Sequence, residues 1–384
     1  MATCACAAAG AARPGALPSL AARGRAVSAA CDLLLVGAGH AHLGVLRLWA
    51  AGRRPRGRIE LVCPEDAAWY SGMLPGLLAG RYRSEQCCIP LAPLCRAAGI
   101  EWRQAAVTAL EADSRSLRLE DGERLQGRWL SLDAGAPPQA PAHEDAGMEL
   151  LAVKPFPAFL ARWQDWQRAP ERLAILGGGA AGVELALAMA RQVPGLALFS
   201  AAELLAGHPP SLRLRALQHL QAAGVQVHER CPVERIRGAA LLSRGQPVWH
   251  GPRLLLASGA SPLPWLRSSG LASDLRGFVA VAATLQSLSH PQVFASGDCA
   301  SRAGTPRNGV HAVRQGPLLA GNLACALTGK PLQDYRPQRH SLALLADGRG
   351  GALLSWAGFT TEGRWCGLWK DWLDRRFVRR HQGR

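Results

Sequence analysis

The feature that most constrains this chain is a strand, a glycine turn and a helix, which occur in that order twice. The first copy is DLLLVGAGHAHLGVLRLWAA, residues 32–51. Its apolar run Leu33 to Val36 is long enough for a buried strand and ends at Gly37-Ala38-Gly39. A helical pattern follows. This order is typical of a dinucleotide-binding βαβ unit, in which Gly37 permits the turn and Gly39 lets backbone N–H groups approach a pyrophosphate.

The second copy is AILGGGAAGVELALA, residues 174–188. Gly177, Gly179 and Gly182 complete the G-x-G-x-x-G fingerprint, whereas His42 stands at the third glycine of the first copy. One glycine turn alone does not distinguish a nucleotide site from an ordinary helix start. Two copies in one chain predict two nucleotides, one in each of two domains.

Each copy has a matching segment further along the chain. LSLDAGAP (residues 130–137) contains Gly135, and LLLASGASP (residues 254–262) contains Gly259. Both are apolar runs that end in a small residue, glycine and alanine, as expected for a last parallel strand that turns back to the ligand edge of its sheet. The predicted fold class is therefore α/β, with two Rossmann-like dinucleotide-binding domains and a small C-terminal β-hairpin plus helix.

Composition excludes several classes of protein. Of 44 basic residues only Lys154, Lys330 and Lys370 are lysines, so the net charge of +16 reflects a bias towards arginine. The arginines are scattered and no nucleic-acid-binding motif is visible, so no nucleic-acid partner is predicted. No apolar run approaches the ~18 to 20 residues that span a bilayer. Eleven cysteines show no metal-ligand spacing, which predicts reduced thiols, no metal site and a cytoplasmic protein.

Turn signals and shifts of composition divide the chain into five parts. Residues 1–30 contain no acid and are rich in alanine, which favours a disordered tail or an upstream start site over a transit peptide. Residues 31–150 and 276–330 are predicted to form the first dinucleotide-binding domain, and residues 151–275 the second. Residues 331–384 are the predicted C-terminal hairpin and amphipathic helix.

Three further segments contain candidate site residues on the flavin side. YSGMLPG, residues 70–76, follows the second strand Ile59 to Val62 and is interpreted as a loop against a flavin ring rather than an ordinary surface turn. VFASGDCA, residues 293–300, places Asp298 after a strand, where a carboxylate can accept hydrogen bonds from a ribityl chain. NGVHAVRQGPLLAGNL, residues 308–323, predicts a helix whose start points at the same ligand.

Glu184 is the candidate residue for hydride transfer in the second unit. It lies two residues after Gly182, where a carboxylate gains from the helix dipole without any ligand and could equally face a nicotinamide. The partner strand ends at Ser200 rather than at an acid or an arginine, so NADH and NADPH both stay open.

The last helix combines tryptophan with arginine. Trp365, Trp369 and Trp372 recur at helical spacing, with several arginines around them. The default expectation is that this helix packs on the core of the chain. The alternative is that this helix makes peripheral contact with the inner face of a membrane or with a partner protein.

The motifs GAGHAH, YSGMLPG, GGGAAGVE, FASGDCA, HAVRQG and RWCGLWKDWLDRRF together resemble the pyridine nucleotide-disulfide oxidoreductase superfamily. Within it they look like the type II NADH dehydrogenase-like group, in particular the flavoprotein fused to selenophosphate synthetase (selenide, water dikinase). The resemblance implies FAD and NAD(P)H as cofactors. It also implies selenophosphate synthetase as one candidate partner protein. The implied FAD-side residues are Gly37, Gly39, His40, Ala41, Tyr70, Pro75, Gly135, Gly297, Asp298 and His311, and the implied NAD(P)H-side residues are Gly177, Gly179, Ala180, Gly182 and Gly259.

The function implied is an FAD-dependent NAD(P)H dehydrogenase, with Glu184 and Gln315 as catalytic candidates and a quinone or another small molecule as acceptor. Residues 40–62 contain no cysteine, so the disulfide chemistry of the superfamily is not expected. Two alternatives stay open at this point. One is a sulfide- or selenide-oxidising flavoenzyme that uses Cys299 with Cys63, Cys87 or Cys88, and the other is a non-catalytic flavin-binding partner in selenium metabolism.

Overall fold

A computed structural model describes residues 31–382 of the chain, so the prediction for residues 1–30 lies outside the described part. The first strand is a parallel strand with neighbours on both sides, and residues 33–35 have no exposed surface. A strand covered on both faces needs a continuous apolar run rather than alternation, and LLLV supplies it. Gly37 follows with φ +83°, a conformation that glycine adopts without strain.

The first part of the chain forms most of a seven-stranded sheet. Along the sheet the strand order is β5-β2-β1-β8-β7-β6, and a turn at Asp121-Gly122 joins β7 to β8. The strands of this first part of the chain are β1 Cys31–Val36, β2 Ile59–Val62, β3 Ala67–Trp69, β4 Cys88–Pro90, β5 Glu101–Arg103, β6 Val107–Glu111, β7 Ser116–Leu119 and β8 Arg124–Leu132. Its helices are α1 His40–Leu48, α2 Leu74–Leu78 and α3 Leu91–Ala98. The strands β3 and β4 pair with each other outside this sheet.

The second part forms a five-stranded parallel sheet in the order β10-β17-β11-β12-β13. A smaller sheet, β16-β15-β14-β9, packs its apolar side chains on one face, and α4, α5 and α6 cover the other. The strands are β9 Ala142–His143, β10 Glu149–Ala152, β11 Leu173–Leu176, β12 Ala197–Phe199, β13 Gln226–His228, β14 Arg235–Arg237, β15 Ala240–Ser243, β16 Gln246–His250 and β17 Arg253–Leu256. The helices are α4 Phe156–Arg168, α5 Ala180–Met189, α6 Pro210–Ala222 and α7 Pro264–Arg267.

The third part returns to the first sheet before it forms the C-terminal layer. Its elements are β18 Val279–Ala280, β19 Val293–Ala295, β20 Ala300–Ser301, α8 Gly309–Thr328, β21 Ala343–Ala346, β22 Ala352–Trp356, β23 Phe359–Gly363 and α9 Arg364–His381. The strand β19 pairs in parallel with β8 and completes the first sheet. The predicted α/β fold class is confirmed, and the C-terminal hairpin β21–β22 is present with β23 as a third strand.

The helices α1 and α8 cross at two glycines, and this contact positions the start of α8. A methyl group added to Gly44 would stand 3.1 Å from the Cα of Gly316, and one added to Gly316 would stand 2.9 Å from the carbonyl oxygen of Ala41. Only residues without a Cβ let the two backbones approach this closely. The start of α8 is therefore held beside the glycine turn that precedes α1.

Candidate active site

Three strands of the first sheet end side by side, and the residues after them meet. Val36 in β1 and Ala295 in β19 both pair with Leu132 in β8. The carboxyl ends of parallel strands share one edge of a sheet, so the loops with Gly37 and Gly39, with Gly135, and with Gly297 and Asp298 lie together. The Gly297 amide donates a 2.9 Å hydrogen bond to Oε1 of Gln315, which joins α8 to this edge.

His42 occupies the third fingerprint position and ties the first glycine turn to β8. Its Nδ1 lies 2.6 Å from the carbonyl oxygen of Gly37, and its Nε2 lies 2.8 Å from Oγ of Ser131. A carbonyl oxygen only accepts, so Nδ1 carries the proton and Nε2 accepts from the Ser131 hydroxyl. Burial lowers the pKa of His42, which keeps the ring neutral. The departure from the fingerprint is thus a structural link within the fold.

Asp133, the residue directly after β8, was not singled out by the sequence. Its carboxylate accepts a 2.9 Å hydrogen bond from the amide of His42 in the first turn of α1. A methyl group added to Gly39 or to Gly297 would stand 2.4 Å from an atom of this carboxyl group. Burial raises the pKa of Asp133, and the charge of Asp298 raises it further. A buried acid therefore lies between the two loops predicted to bind FAD.

Lys154 also belongs to this edge. It lies on the connection between β10 and α4, and its Nζ is 3.3 Å from Oδ2 of Asp298. His311, near the start of α8, has Nδ1 2.9 Å from the hydroxyl of Tyr335. The Asn308 side chain caps α8 by accepting from the amide of His311 at 3.1 Å. His311 is thus held by Tyr335 and the helix cap.

An aromatic cluster borders the first glycine turn. Tyr70 stacks on Phe377 of α9 with ring centroids 4.3 Å apart, and the His40 ring lies 5.6 Å from that of Tyr70. Burial lowers the pKa of His40 to about 4, so it is neutral at physiological pH. The His381 ring also packs on Phe377, with ring centroids 4.2 Å apart. The Tyr70 loop and the C-terminal helix therefore meet at the start of α1, although they lie far apart in sequence.

The second glycine cluster has the geometry that its fingerprint predicts. Gly177 has φ +136°, and a methyl group there would stand 2.2 Å from the carbonyl oxygen of Ala257 in the loop that leads to Gly259. One on Gly182 would stand 1.7 Å from the carbonyl oxygen of Gly177. Gly179 directly precedes Ala180, the first helical residue, and a methyl group added to Gly179 would have no atom within 4 Å. The three glycines provide a tight turn, open space and close helix packing.

Glu184 is linked to the C-terminal helix rather than to solvent. Its Oε1 accepts a 2.8 Å hydrogen bond from the amide of Ala346 and lies 3.7 Å from Nζ of Lys370 in α9. The same Nζ is 3.1 Å from Oδ2 of Asp374 and donates to the carbonyl oxygen of Gly72 at 2.9 Å. Asp374 in turn faces Tyr70, and burial together with this carboxylate raises the pKa of the Tyr70 hydroxyl.

This network of Glu184, Lys370, Asp374 and Tyr70 (the bridging network) connects the two glycine clusters. Burial lowers the pKa of Lys370, but the charges of Glu184 and Asp374 outweigh burial and the net shift is upward. Burial raises the pKa of Glu184, and Lys370 opposes that rise. Sequence reasoning gave Lys370 and Asp374 no role because neither lies in a glycine fingerprint, although both lie in the motif RWCGLWKDWLDRRF and Lys370 is one of three lysines in the chain. Pro75 lines a small cleft beside Lys370.

Residues 31–316 match the family model described as pyridine nucleotide-disulphide oxidoreductase, which is well over half of the chain. The chain belongs to this family. It is an FAD-dependent oxidoreductase, and FAD and NAD(P)H are its cofactors. No helix within residues 31–382 is long and apolar enough to cross a membrane. The same residues contain no cluster of acids, histidines and cysteines that could hold a metal ion.

Two curated relatives and two solved structures show what this oxidoreductase is similar to. Demethylphylloquinone reductase NdbB of Synechocystis sp. is 26% identical over 329 residues, 79% of this chain and 81% of that protein. Ferroptosis suppressor protein 1 of Homo sapiens is 26% identical over 278 residues, 67% of this chain and 72% of that protein. The solved sulfide:quinone oxidoreductase of Aquifex aeolicus superposes with a TM-score of 0.75 at 15% identity, covering 91% of each chain. The water-forming NADH oxidase of Lactobacillus brevis superposes with a TM-score of 0.69 at 19% identity, covering 85% of this chain and 75% of that chain.

The two glycine clusters differ in how well they fit a dinucleotide. The space in front of Gly179 is open, which suits a pyrophosphate at the start of α5. In the first cluster Gly37 makes the turn with φ +83°, but the carboxylate of Asp133 caps the start of α1 where a pyrophosphate would bind. Asp133 and Asp298 both bring negative charge to this edge; Asp298 is paired with Lys154, whereas Asp133 accepts a hydrogen bond from the amide of His42.

Proposed function

We propose that this oxidoreductase passes electrons from NAD(P)H through FAD to a quinone or another small acceptor. NAD(P)H supplies the hydride and FAD accepts it, while the protein positions both and excludes water. The residues predicted for each cofactor in the sequence are proposed for these roles, with the FAD domain in residues 31–150 and 276–330 and the NAD(P)H domain in residues 151–275. The likeness to a demethylphylloquinone reductase supports a quinone as acceptor.

The observation that carries the choice of acceptor is a groove of about 250 Å³ between α1, α8 and α9. It begins at His40, the first residue after the glycine turn, and has an apolar floor with a basic edge. Such a groove suits a flat apolar ring that carries polar oxygens. The apolar lining is Val313, Pro317, Leu373 and Phe377, and the basic edge is Arg47, Arg376 and Arg380.

The bridging network supports the hydride step and the supply of protons. Glu184 is fixed by Ala346 and Lys370, so its carboxylate has one position at the start of the proposed NAD(P)H site. Lys370 stays protonated at neutral pH because its pKa is raised. It is joined through Asp374 to Tyr70, beside His40. Reduction of a quinone to a quinol consumes two protons, and this network holds protons between the proposed NAD(P)H site and the groove.

The exposed face of α9 supports peripheral contact with the inner face of a membrane. Aromatic and aliphatic side chains there and on the neighbouring hairpin are at least 39% exposed. Tryptophan next to arginine favours the headgroup layer of an anionic bilayer, and a lipid-soluble quinone would reach the groove from that layer. The exposed residues are Trp356, Phe359, Trp365, Leu368, Trp369 and Trp372.

The other predictions of function receive less support from the structure. Burial raises the pKa values of Cys63, Cys87 and Cys299 to about 12, and a protonated thiol is a poor nucleophile, so the proposal uses no cysteine. The chain is an enzyme, which sets aside the non-catalytic alternative. Partnership with selenophosphate synthetase stays a prediction that rests on the sequence motifs alone.

A substitution that fills the groove tests the proposal. Leu373→Trp should raise the KM for a water-soluble quinone about tenfold or more, because one misfitting group in an apolar pocket changes binding by that order. Reduction of the flavin by NADH in a stopped-flow instrument should not change, since NAD(P)H enters from the other cluster. Leu368→Trp is the matched control, because Leu368 is 66% exposed on the same helix.

Two results would contradict the proposal. One is a wild-type protein that oxidises neither NADH nor NADPH when a quinone is added. The other is an unchanged KM for quinone in Leu373→Trp, which would place the acceptor outside the groove.

A further inference from the structure

The two glycine loops differ at the start of the helix that follows each of them. A methyl group on Gly179 would meet no atom within 4 Å, whereas one on Gly39 would stand 2.4 Å from Cγ of Asp133. The Asp133 carboxylate also accepts a hydrogen bond from the amide of His42 in the first turn of α1. Asp133 is only 2% exposed. In the second loop the helix start is open, and in the first it is capped by a buried acid of the chain.

A helix start binds negative charge through its unpaired N–H groups and its dipole. In dinucleotide-binding folds the charge bound there is the pyrophosphate of the cofactor. Because FAD is a cofactor of this family, its pyrophosphate and the Asp133 carboxylate need the same end of α1. Two buried negative groups at one helix end repel each other strongly, so one charge has to be lost.

We propose that FAD binds to this chain with the Asp133 carboxyl group protonated, so that binding takes up one proton and Asp133 becomes a neutral hydrogen-bonding group beside the pyrophosphate. The proton comes from solvent and forms the O–H bond of the carboxyl group; no bond of FAD changes. This inference needs only the FAD cofactor and is independent of the acceptor proposed above.

The groups that face Asp133 act in opposite directions on its charge. From α1 the amide of His42 donates to its carboxylate and favours the ionised form, and the amide of Ala41 acts in the same direction, while the His42 ring is neutral. From the loop after β19 it meets the negative charge of Asp298 and the thiol of Cys299. The nearby cation Lys154 pairs with Asp298. Burial and the charge of Asp298 already raise the pKa of Asp133, and an anionic cofactor would raise it further.

Proton uptake gives FAD affinity a defined dependence on pH. The carboxyl group has a higher pKa in the complex than in the free protein, so the complex is favoured at low pH. Between these two pKa values, affinity falls as pH rises, by up to about tenfold for each pH unit. Asp133→Asn removes the charge but keeps an oxygen for the amide of His42, so its affinity should vary little with pH and exceed that of the wild type at high pH.

Titration calorimetry of the FAD-free protein with FAD, in buffers of different ionisation enthalpy between about pH 6 and about pH 9, counts the protons directly. The wild type should take up a proton, approaching one per FAD, at some pH within this range, and Asp133→Asn close to none. Two control variants should still take up a proton when FAD binds. Ser131→Ala disturbs His42 without changing a charge. Asp298→Asn removes the other carboxylate of the site and should retain proton uptake even if it binds FAD more weakly.

The wild-type measurement decides the question even if a variant does not fold. Absence of proton uptake by the wild type across the whole range would overturn the inference. So would an Asp133→Asn protein that takes up as many protons as the wild type, or one that loses FAD at every pH, since the ionised carboxylate would then be required.

Discussion

Replacing Lys370 with methionine removes the positive charge from the bridging network and leaves its two carboxylates without a cationic partner. Lys370, Glu184 and Asp374 have side chains that are 13%, 13% and 7% exposed, so water can do little to compensate. Methionine has a similar length and no charge. Removing one partner from a buried ion pair typically costs about 3 to 5 kcal/mol of unfolding free energy. We expect a loss at the lower end of this range, because the two carboxyl groups can respond by taking up protons.

That response makes the loss dependent on pH. Burial raises the pKa of Glu184 and of Asp374, and Lys370 lowers both. Without Lys370 both pKa values rise further above those of the unfolded chain. The stability linked to a raised carboxyl pKa is fully present below the unfolded pKa and is lost as pH rises through the folded pKa. The loss should therefore be smaller near about pH 5 than near about pH 8, and a tenfold change in the proton affinity of one carboxyl group corresponds to about 1.4 kcal/mol.

Urea unfolding followed by tryptophan fluorescence at both pH values measures this effect. Lys330→Met is the control, because Lys330 is exposed and its replacement should change the unfolding free energy by less than about 0.5 kcal/mol. Adding Asp374→Asn to Lys370→Met should restore part of the stability at the higher pH. An equal loss at both pH values would show that methionine disturbs packing rather than charge and would refute the reasoning.

Gly39→Val should purify with little or no FAD, because its Cβ would overlap the Asp133 carboxyl group; a variant with full flavin absorbance would show that the turn does not hold the cofactor. Glu184→Ala should slow reduction of the flavin by NADH or NADPH about ten- to a hundredfold with unchanged FAD content, since one lost polar contact costs about 1 to 3 kcal/mol. An unchanged stopped-flow rate would leave Glu184 with a purely structural role. Replacing Trp365 and Trp372 with serine should reduce flotation with anionic vesicles and leave flavin content unchanged, because both side chains are about half exposed; equal flotation would place any membrane contact elsewhere.

The sequence by itself determined the parts of this protein that depend on local order. A buried parallel strand needs an apolar run, and the tight turn after it needs a residue that accepts positive φ, so β1, Gly37 and α1 could be read from neighbouring residues. The same holds for Gly177, Gly179 and Gly182, whose spacing follows from the close packing of helix on strand. The α/β fold class was predicted on this basis, and the enzyme class and both cofactors were predicted from the resemblance of the motifs to a known family; all are confirmed. The roles of individual site residues stay predictions.

Only the tertiary structure decided which charges meet. Asp133 follows an ordinary strand, and nothing in its neighbours predicts that its carboxylate caps a helix that begins some ninety residues earlier. Lys370 reaches Glu184 because α9 folds back over α5 and the Tyr70 loop. Hydrogen bonds and ion pairs act over a few ångströms in space and leave no periodic signal along the chain. A single sequence therefore predicts where a dinucleotide can bind, whereas the acids and bases that meet at that place become visible only once the chain has folded.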